Sequence, residues 1–173
     1  GEHGFSIITT TEGWKYSSIN PKKMNKISDT ALAAAQYKYD IEGSLVDYAA
    51  KGHKVALIGT DTINAQECFK IKFTSNIGTE ILYWFDKKSF YKVQSSIKET
   101  TRVYTAKDVY TNVLVEDIIQ YKNYRFVDGV LFPFIQTIEI YRIDNGVKLG
   151  NVNTYYNNIQ PNKPIDPRLY RLK

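Results

Sequence analysis

The chain has 173 residues, of which 43% are hydrophobic and 14% aromatic, with fourteen tyrosines and a formal net charge of +5. It is long enough to bury a core and fits one domain, and its β-branched and aromatic content leans towards strands. No run of about 18 apolar residues occurs, which excludes a helical membrane span, and a lone cysteine, Cys68, excludes an internal disulfide.

Gly1-Glu2-His3-Gly4 has neither a basic nor an apolar signal region, so no export signal is read in this chain. A leader could have been removed before Gly1. Cys68 has only His3 and His53 as conceivable catalytic or metal partners, and its plainer reading is a small residue packed within a strand. The positive charge could attract phospholipid headgroups or nucleic acid. The lysines, however, are scattered along the polar faces of strands, with short clusters at Lys22-Lys23, Lys87-Lys88 and the tail, which describes a solvated surface.

In chain order, Phe5 to Thr11 reads as a strand that turns at Thr11-Glu12-Gly13 and returns through Trp14 to Ser17. Asn20-Pro21 breaks this hairpin, and Lys22 to Lys26 is expected to be a basic loop. Ser28 has the chemistry of a helix N-cap, with Ile27 and Leu32 at staple spacing, Asp29 at the positive end of the dipole, and alanines up to Ala35. Leu32, Ala35 and Tyr39 form a narrow apolar stripe. A second, two-turn helix is expected from Ser44 to Lys51, with capping-box spacing between Ser44 and Asp47 and Gly52 as its terminator. Two short helices ahead of a long antiparallel series predict a lid on a sheet.

From His53 the chain reads as nearly all strand. His53 to Gly59 leads into Gln66 to Ile97, where three alternating runs are joined by turns at Asn76-Ile77-Gly78 and Asp86 to Ser89. Phe69, Ile71 and Phe73 share one face of the first run, and Ile81, Tyr83 and Phe85 share one face of the second. In the third run, Tyr91, Val93 and Ile97 are expected on one side, with Lys92, Gln94 and Ser96 on the other. This is an antiparallel meander. Glu99 to Asn112 is polar and reads as a long loop or two frayed strand ends. Val113 to Tyr121 is a strand with Asp117 on its apolar face. Asp128-Gly129 and Asn145-Gly146 are hairpin turns whose two central residues should both take positive φ. Between them Pro133 marks an edge or a bulge, Val147 to Tyr156 is a last strand, and the tail ends in Leu169 to Leu172.

No glycine-rich phosphate loop, nucleophile elbow or two-histidine metal pair is present. The carboxylates Glu116, Asp117, Asp128 and Glu139 are not brought together by any local pattern, so the chain is read as non-enzymatic. Tyrosines alternating with lysines could describe a base-stacking sheet, but the aromatics face the same way as Ile and Val, which argues for burial. The fold class is mainly β (α+β): a curved antiparallel sheet forming an open half-barrel with two short helices as a lid. A sheet of that kind that does not close over its concavity leaves an apolar cavity suited to acyl chains.

Several stretches resemble the bacterial outer-membrane lipoprotein carrier and sorting proteins, the LolA/LolB-like half-barrels, and most closely the variant common in Bacteroidetes. They are Glu12 to Lys15 with Ile19-Asn20-Pro21, Ile41 to Tyr48 with Lys51 to Gly59, Phe69 to Phe73 with the Asp86 turn, and Tyr124 to Pro133. The resemblance implies a periplasmic, non-enzymatic protein whose lidded sheet shelters acyl chains of lipoproteins or another lipid, without metal or nucleotide cofactor. It also implies a helix and several strands ahead of the Gly13-Trp14 segment, and an arginine latching the lid; neither has a counterpart here. Either the chain is a fragment, or it is a shortened relative with an open sheet edge, coverable by a second copy. The expected ligand-binding residues are Trp14, Phe69, Ile71, Phe73, Ile81, Tyr83, Phe85, Tyr91, Val93, Ile138 and Ile140. The alternative is an envelope regulatory or scaffolding module of the same fold that binds proteins through its sheet and has no ligand cavity.

Overall fold

The computed structural model describes residues 4–9, 11–17, 24–38, 43–106, 109–161 and 163–164. Tyr39, the Lys22-Lys23 cluster and the apolar tail from Leu169 lie outside the described residues. The chain divides into two compact units, Gly1–Ala56 with Phe73–Glu80 and Leu57–Lys72 with Ile81–Lys173.

In the first unit, β1 (Gly4–Ile8), β2 (Gly13–Ser17) and β3 (Asn25–Lys26) make a three-stranded antiparallel sheet in that order. The β1–β2 turn is held by Thr9, whose Oγ1 accepts the Glu12 N–H at 3.0 Å while its own N–H donates to the Glu12 carbonyl at 2.9 Å. β3 corrects the expected basic loop: Asn25 and Lys26 pair with Lys15 and Trp14. Gly13 is required there, because a Cβ would meet Ile27 Cδ1 at 2.5 Å. α1 (Asp29–Lys38) begins as expected, with Ser28 Oγ accepting the Ala31 N–H at 3.3 Å and Leu32 buried.

The second helix does not form. Residues 44–52 are consecutive turns, with Asp47 at φ 48°. A left-handed residue cannot propagate right-handed i→i−4 bonding, and the bonds run irregularly, from Lys51 N–H to the Asp47 carbonyl and from His53 N–H to the Tyr48 carbonyl. Among the described residues α1 is the only α-helix, so the expected pair of helices is not formed. His53 closes this segment: its Nδ1 accepts the Asn76 N–H at 3.0 Å and its ring meets Phe73 edge-on at 5.0 Å.

The remaining strands are β4 (Lys54–Ile63), β5 (Gln66–Thr74), β6 (Glu80–Asp86), β7 (Lys92–Ala106), β8 (Val109–Val127), β9 (Val130–Arg142) and β10 (Lys148–Tyr155). They form one open sheet in the order β10-β9-β8-β7-β6-β5-β4, a meander in which sequence neighbours are spatial neighbours. β7 and β8 stay paired out to Ala106 and Val109, so the polar stretch after Glu99 is strand rather than loop. Its threonines suit a pleated surface, and cross-strand pairing supplies what hydrophobic alternation does not.

Three turns show how local chemistry sets register. At Asp128-Gly129 both residues take positive φ, 49° and 80°, and join Val127 directly to Val130, as expected. At Asn145-Gly146 only Gly146 does, at 70°; the loop is longer, closed by the Arg142–Asp144 ion pair and by Asn145 Oδ1 accepting the Val147 N–H. The β4–β5 hairpin turns on Asn64-Ala65, at φ 49° and 63°, although Ala is a poor residue for that backbone. Pro133 pairs with Tyr124 beyond the end of the β9–β10 ladder, where its missing N–H costs no bond to β10.

The apolar sheet face and its pocket

Register assigns the faces. One row runs Ile81, Ile97, Asp117, Ile140, Gly150 across β6 to β10, and the next runs Tyr83, Ser95, Ile119, Ile138, Val152. Glu99, Val115 and Arg142 form a further row beyond Ile97. Within these rows Ile81, Tyr83 and Val115 are buried, Val115 at 1% exposure. The opposite face is more polar, with Leu82, Ser96, Ile118, Glu139 and Asn151 in one row and Trp84, Gln94, Gln120, Thr137 and Asn153 in another. There Trp84 Nε1 donates to Asp61 at 3.1 Å and the Lys70 ammonium lies 5.2 Å above the indole, so a buried aromatic is covered by a lysine stem. The Trp84 hydrogen bond is the first reason the Asp61 carboxyl titrates below its ordinary value.

The expected binding residues separate into groups. Ile81, Tyr83, Ile138 and Ile140 share the apolar face, and Phe85 joins them with its ring 6.1 Å from that of Tyr83. Phe69 and Ile71 alternate on β5, and Phe69 stacks on Phe90 at 6.2 Å. Phe73 has no exposed surface and belongs to the first unit with His53. Trp14 stands in the three-stranded sheet, with Lys26 Nζ 5.9 Å from its ring. Tyr91 packs on Tyr124 at 5.1 Å, and Val93 occupies a β-bulge. Cys68 is fully buried, which pushes its thiol pKa up and suits packing rather than nucleophilic chemistry.

The bulge alters one expectation. Between Trp84 and Phe85 the register shifts, so that Trp84 faces Gln94 while Phe85 faces Lys92. Simple alternation places Lys92 with Gln94 on the polar side; the extra residue moves it to the apolar one. Its ammonium lies 4.0 Å from the Tyr121 ring centroid and 5.6 Å from that of Tyr83. Burial pulls its pKa below the ordinary lysine value. Around it, Tyr121 shares a 3.0 Å hydrogen bond with Ser95, and Tyr124 donates to the Lys92 carbonyl at 2.6 Å. Burial raises the Tyr121 pKa and takes that of Tyr124 up to about 12, so both phenols stay protonated at neutral pH.

A pocket of about 380 Å³ lies at the other end of this face, lined by Glu99, Thr101, Arg102, Val103, Tyr104, Val115, Asp117, Ile140 and Leu149. Of the expected binding residues only Ile140 reaches it. Glu99 to Tyr104 carry no sequence mark of a wall because that polar stretch does not alternate in hydrophobicity, and Val115, Asp117 and Leu149 lie on expected strands whose cross-strand register alone brings them to the pocket. Among the described residues no group of three His, Cys, Asp or Glu is placed to hold a metal.

Neither a family model nor a curated protein matches the chain. Two solved structures show a likeness at 14% identity. A DUF1329 family protein from Desulfovibrio piger has a TM-score of 0.49 over 90% of this chain. An outer membrane lipoprotein-sorting protein domain from Vibrio parahaemolyticus has a TM-score of 0.45 over 87%. The chain spans 62% of the length of each.

Proposed function

We propose that this protein binds the acyl chain of a lipid or lipoprotein along the apolar face of its seven-stranded sheet and acts as a non-enzymatic carrier in the bacterial envelope, of the lipoprotein-sorting kind its sequence resembles. The observation that carries this reading is the pair of mainly apolar rows, Ile81 to Ile140 interrupted by Asp117 and Tyr83 to Ile138 interrupted by Ser95, leading to a pocket of about 380 Å³ where Val103, Val115, Ile140 and Leu149 stand beside the charged Glu99, Arg102 and Asp117. That volume lies within the range of about 300–1,000 Å³ usual for small-ligand sites, and the lining combines aliphatic walls with a few polar groups. The periplasm is the compartment in which such a carrier would work.

The test is native mass spectrometry of protein purified from a bacterial periplasm, with lipid extraction and a delipidated control. A roughly stoichiometric acylated species supports the carrier. A clean apo mass that also ignores added fatty-acid probes overturns it in favour of a protein-binding module, for which the exposed Leu57 and Ile58 on β4 at the end of the sheet would be the surface.

A further inference from the structure

We infer that Lys92 is the anchor for an anionic group, so that the ligand of the apolar face is an acyl chain ending in a carboxylate or phosphate rather than a neutral lipid. This rests on the acyl-binding reading above and narrows its ligand class from lipids and lipoproteins to anionic lipids, because the ester- and amide-linked chains of a lipoprotein carry no such group. A lysine held among tyrosine rings has lost much of its hydration, and here the β-bulge between Trp84 and Phe85 brings it onto the face of Tyr83 and Phe85. Bulges are over-represented where a side chain must be re-aimed at a site. Among the described residues no carboxylate pairs with Lys92; its partners are the faces of Tyr83 and Tyr121. Cation–π contact partly compensates a desolvated ammonium but leaves its three N–H donors free for an anion.

The surroundings hold this group in place. Tyr124 fastens the Lys92 backbone and Ser95 fastens Tyr121, so the ammonium and its flanking rings are positioned before a ligand arrives. Arg125, whose guanidinium lies 4.6 Å from the Phe134 ring, places a second cation towards the same end of the sheet. The acidic groups on this face, Asp117 and Glu99, lie in the rows of Ile97 and Val115. At strand spacing these rows are about 16 Å and 23 Å along β7 from Lys92, too far to neutralise it directly. The span between them is paved by Ile97, Ile119 and Ile138, so an acyl chain anchored at Lys92 runs towards the pocket.

The test compares decanoate, decyl phosphate and 1-decanol by calorimetric titration of the delipidated protein, of Lys92→Met and of Lys92→Arg, with thermal unfolding confirming that each is folded. Met keeps an unbranched apolar stem without charge, and Arg keeps the charge. The protein should prefer the anions to decanol by about tenfold, the scale of a charge-assisted hydrogen bond; Lys92→Met should lose that preference and Lys92→Arg retain most of it. The stronger of the two anions identifies the headgroup class. Folded Lys92→Met that binds all three ligands with an unchanged preference overturns the anchor while leaving the apolar-face reading intact. Wild-type protein that binds none of them overturns both. Should Lys92→Met fail to fold, Lys92→Gln carries the comparison.

Discussion

Phe73→Ala separates what holds this protein together from what it holds. Phe73 has no exposed surface, and its ring receives the edge of His53, whose Nδ1 in turn accepts the Asn76 N–H. Removing it forfeits about 1.5–3 kcal/mol of transfer free energy. The cavity left behind brings the total for a buried Phe→Ala to about 3–5 kcal/mol, within which the lost edge-to-face contact counts for about 1 kcal/mol. With a urea slope near 2 kcal/mol/M, the unfolding midpoint should fall by about 2 M. Phe90→Ala is the internal comparison, because Phe90 is 68% exposed and should cost less than about 1 kcal/mol. The assay is urea denaturation followed by circular dichroism, together with decanoate titration of the fraction still folded. A Phe73→Ala loss below about 1 kcal/mol, or one no larger than that of Phe90→Ala, would refute the packing argument. Intact stability with abolished binding would make Phe73 a ligand contact instead.

Three further outcomes follow from the same geometry. Leu149→Asp places a charge in the wall of the pocket at a half-exposed position, so acyl uptake should fall at least about tenfold with stability changed by less than about 1 kcal/mol; a parallel loss of both would show that the wall is core. The Asp86 carboxylate accepts the Ser89 N–H and hydroxyl, each at 2.7 Å, and the Lys88 N–H at 3.1 Å, which lowers its pKa in the fold. Its contribution is therefore present above the unfolded carboxylate range and is lost as pH falls through the folded value. Asp86→Asn should flatten the fall of the urea midpoint as pH drops through and below the ordinary carboxylate range, and equal slopes would refute this. Ala65→Gly relieves a left-handed alanine at φ 63°, worth roughly 1–2 kcal/mol, against a cost of about 0.5–1 kcal/mol in unfolded-chain entropy; a net gain of up to about 1.5 kcal/mol should appear as a higher midpoint.

The elements most legible in sequence were those with a local cause. Alternation from Phe69 to Ile97 marked three strands, Ser28 marked the start of α1, and Asp128-Gly129 marked a tight hairpin. The segment from Ser44 misled because capping-box spacing is a weak signal over two turns, and the left-handed Asp47 between Gly43 and Gly52 breaks the helix it implied. Asn64-Ala65 carries no turn signal in sequence because alanine rarely turns a hairpin.

By itself, the sequence determined that this protein is mostly antiparallel strand and, where a strand runs without a bulge, which of its residues share a side, because a period of two is a property of the backbone. Only the tertiary structure decided which sides line up across β6 to β10, that the polar residues after Glu99 form the far wall of a pocket, and that Lys92 stands among tyrosines on the apolar face. The physical reason is register. One extra residue in a ladder reverses the side a chain presents, and whether it is accommodated depends on the partner strand, which no local pattern records.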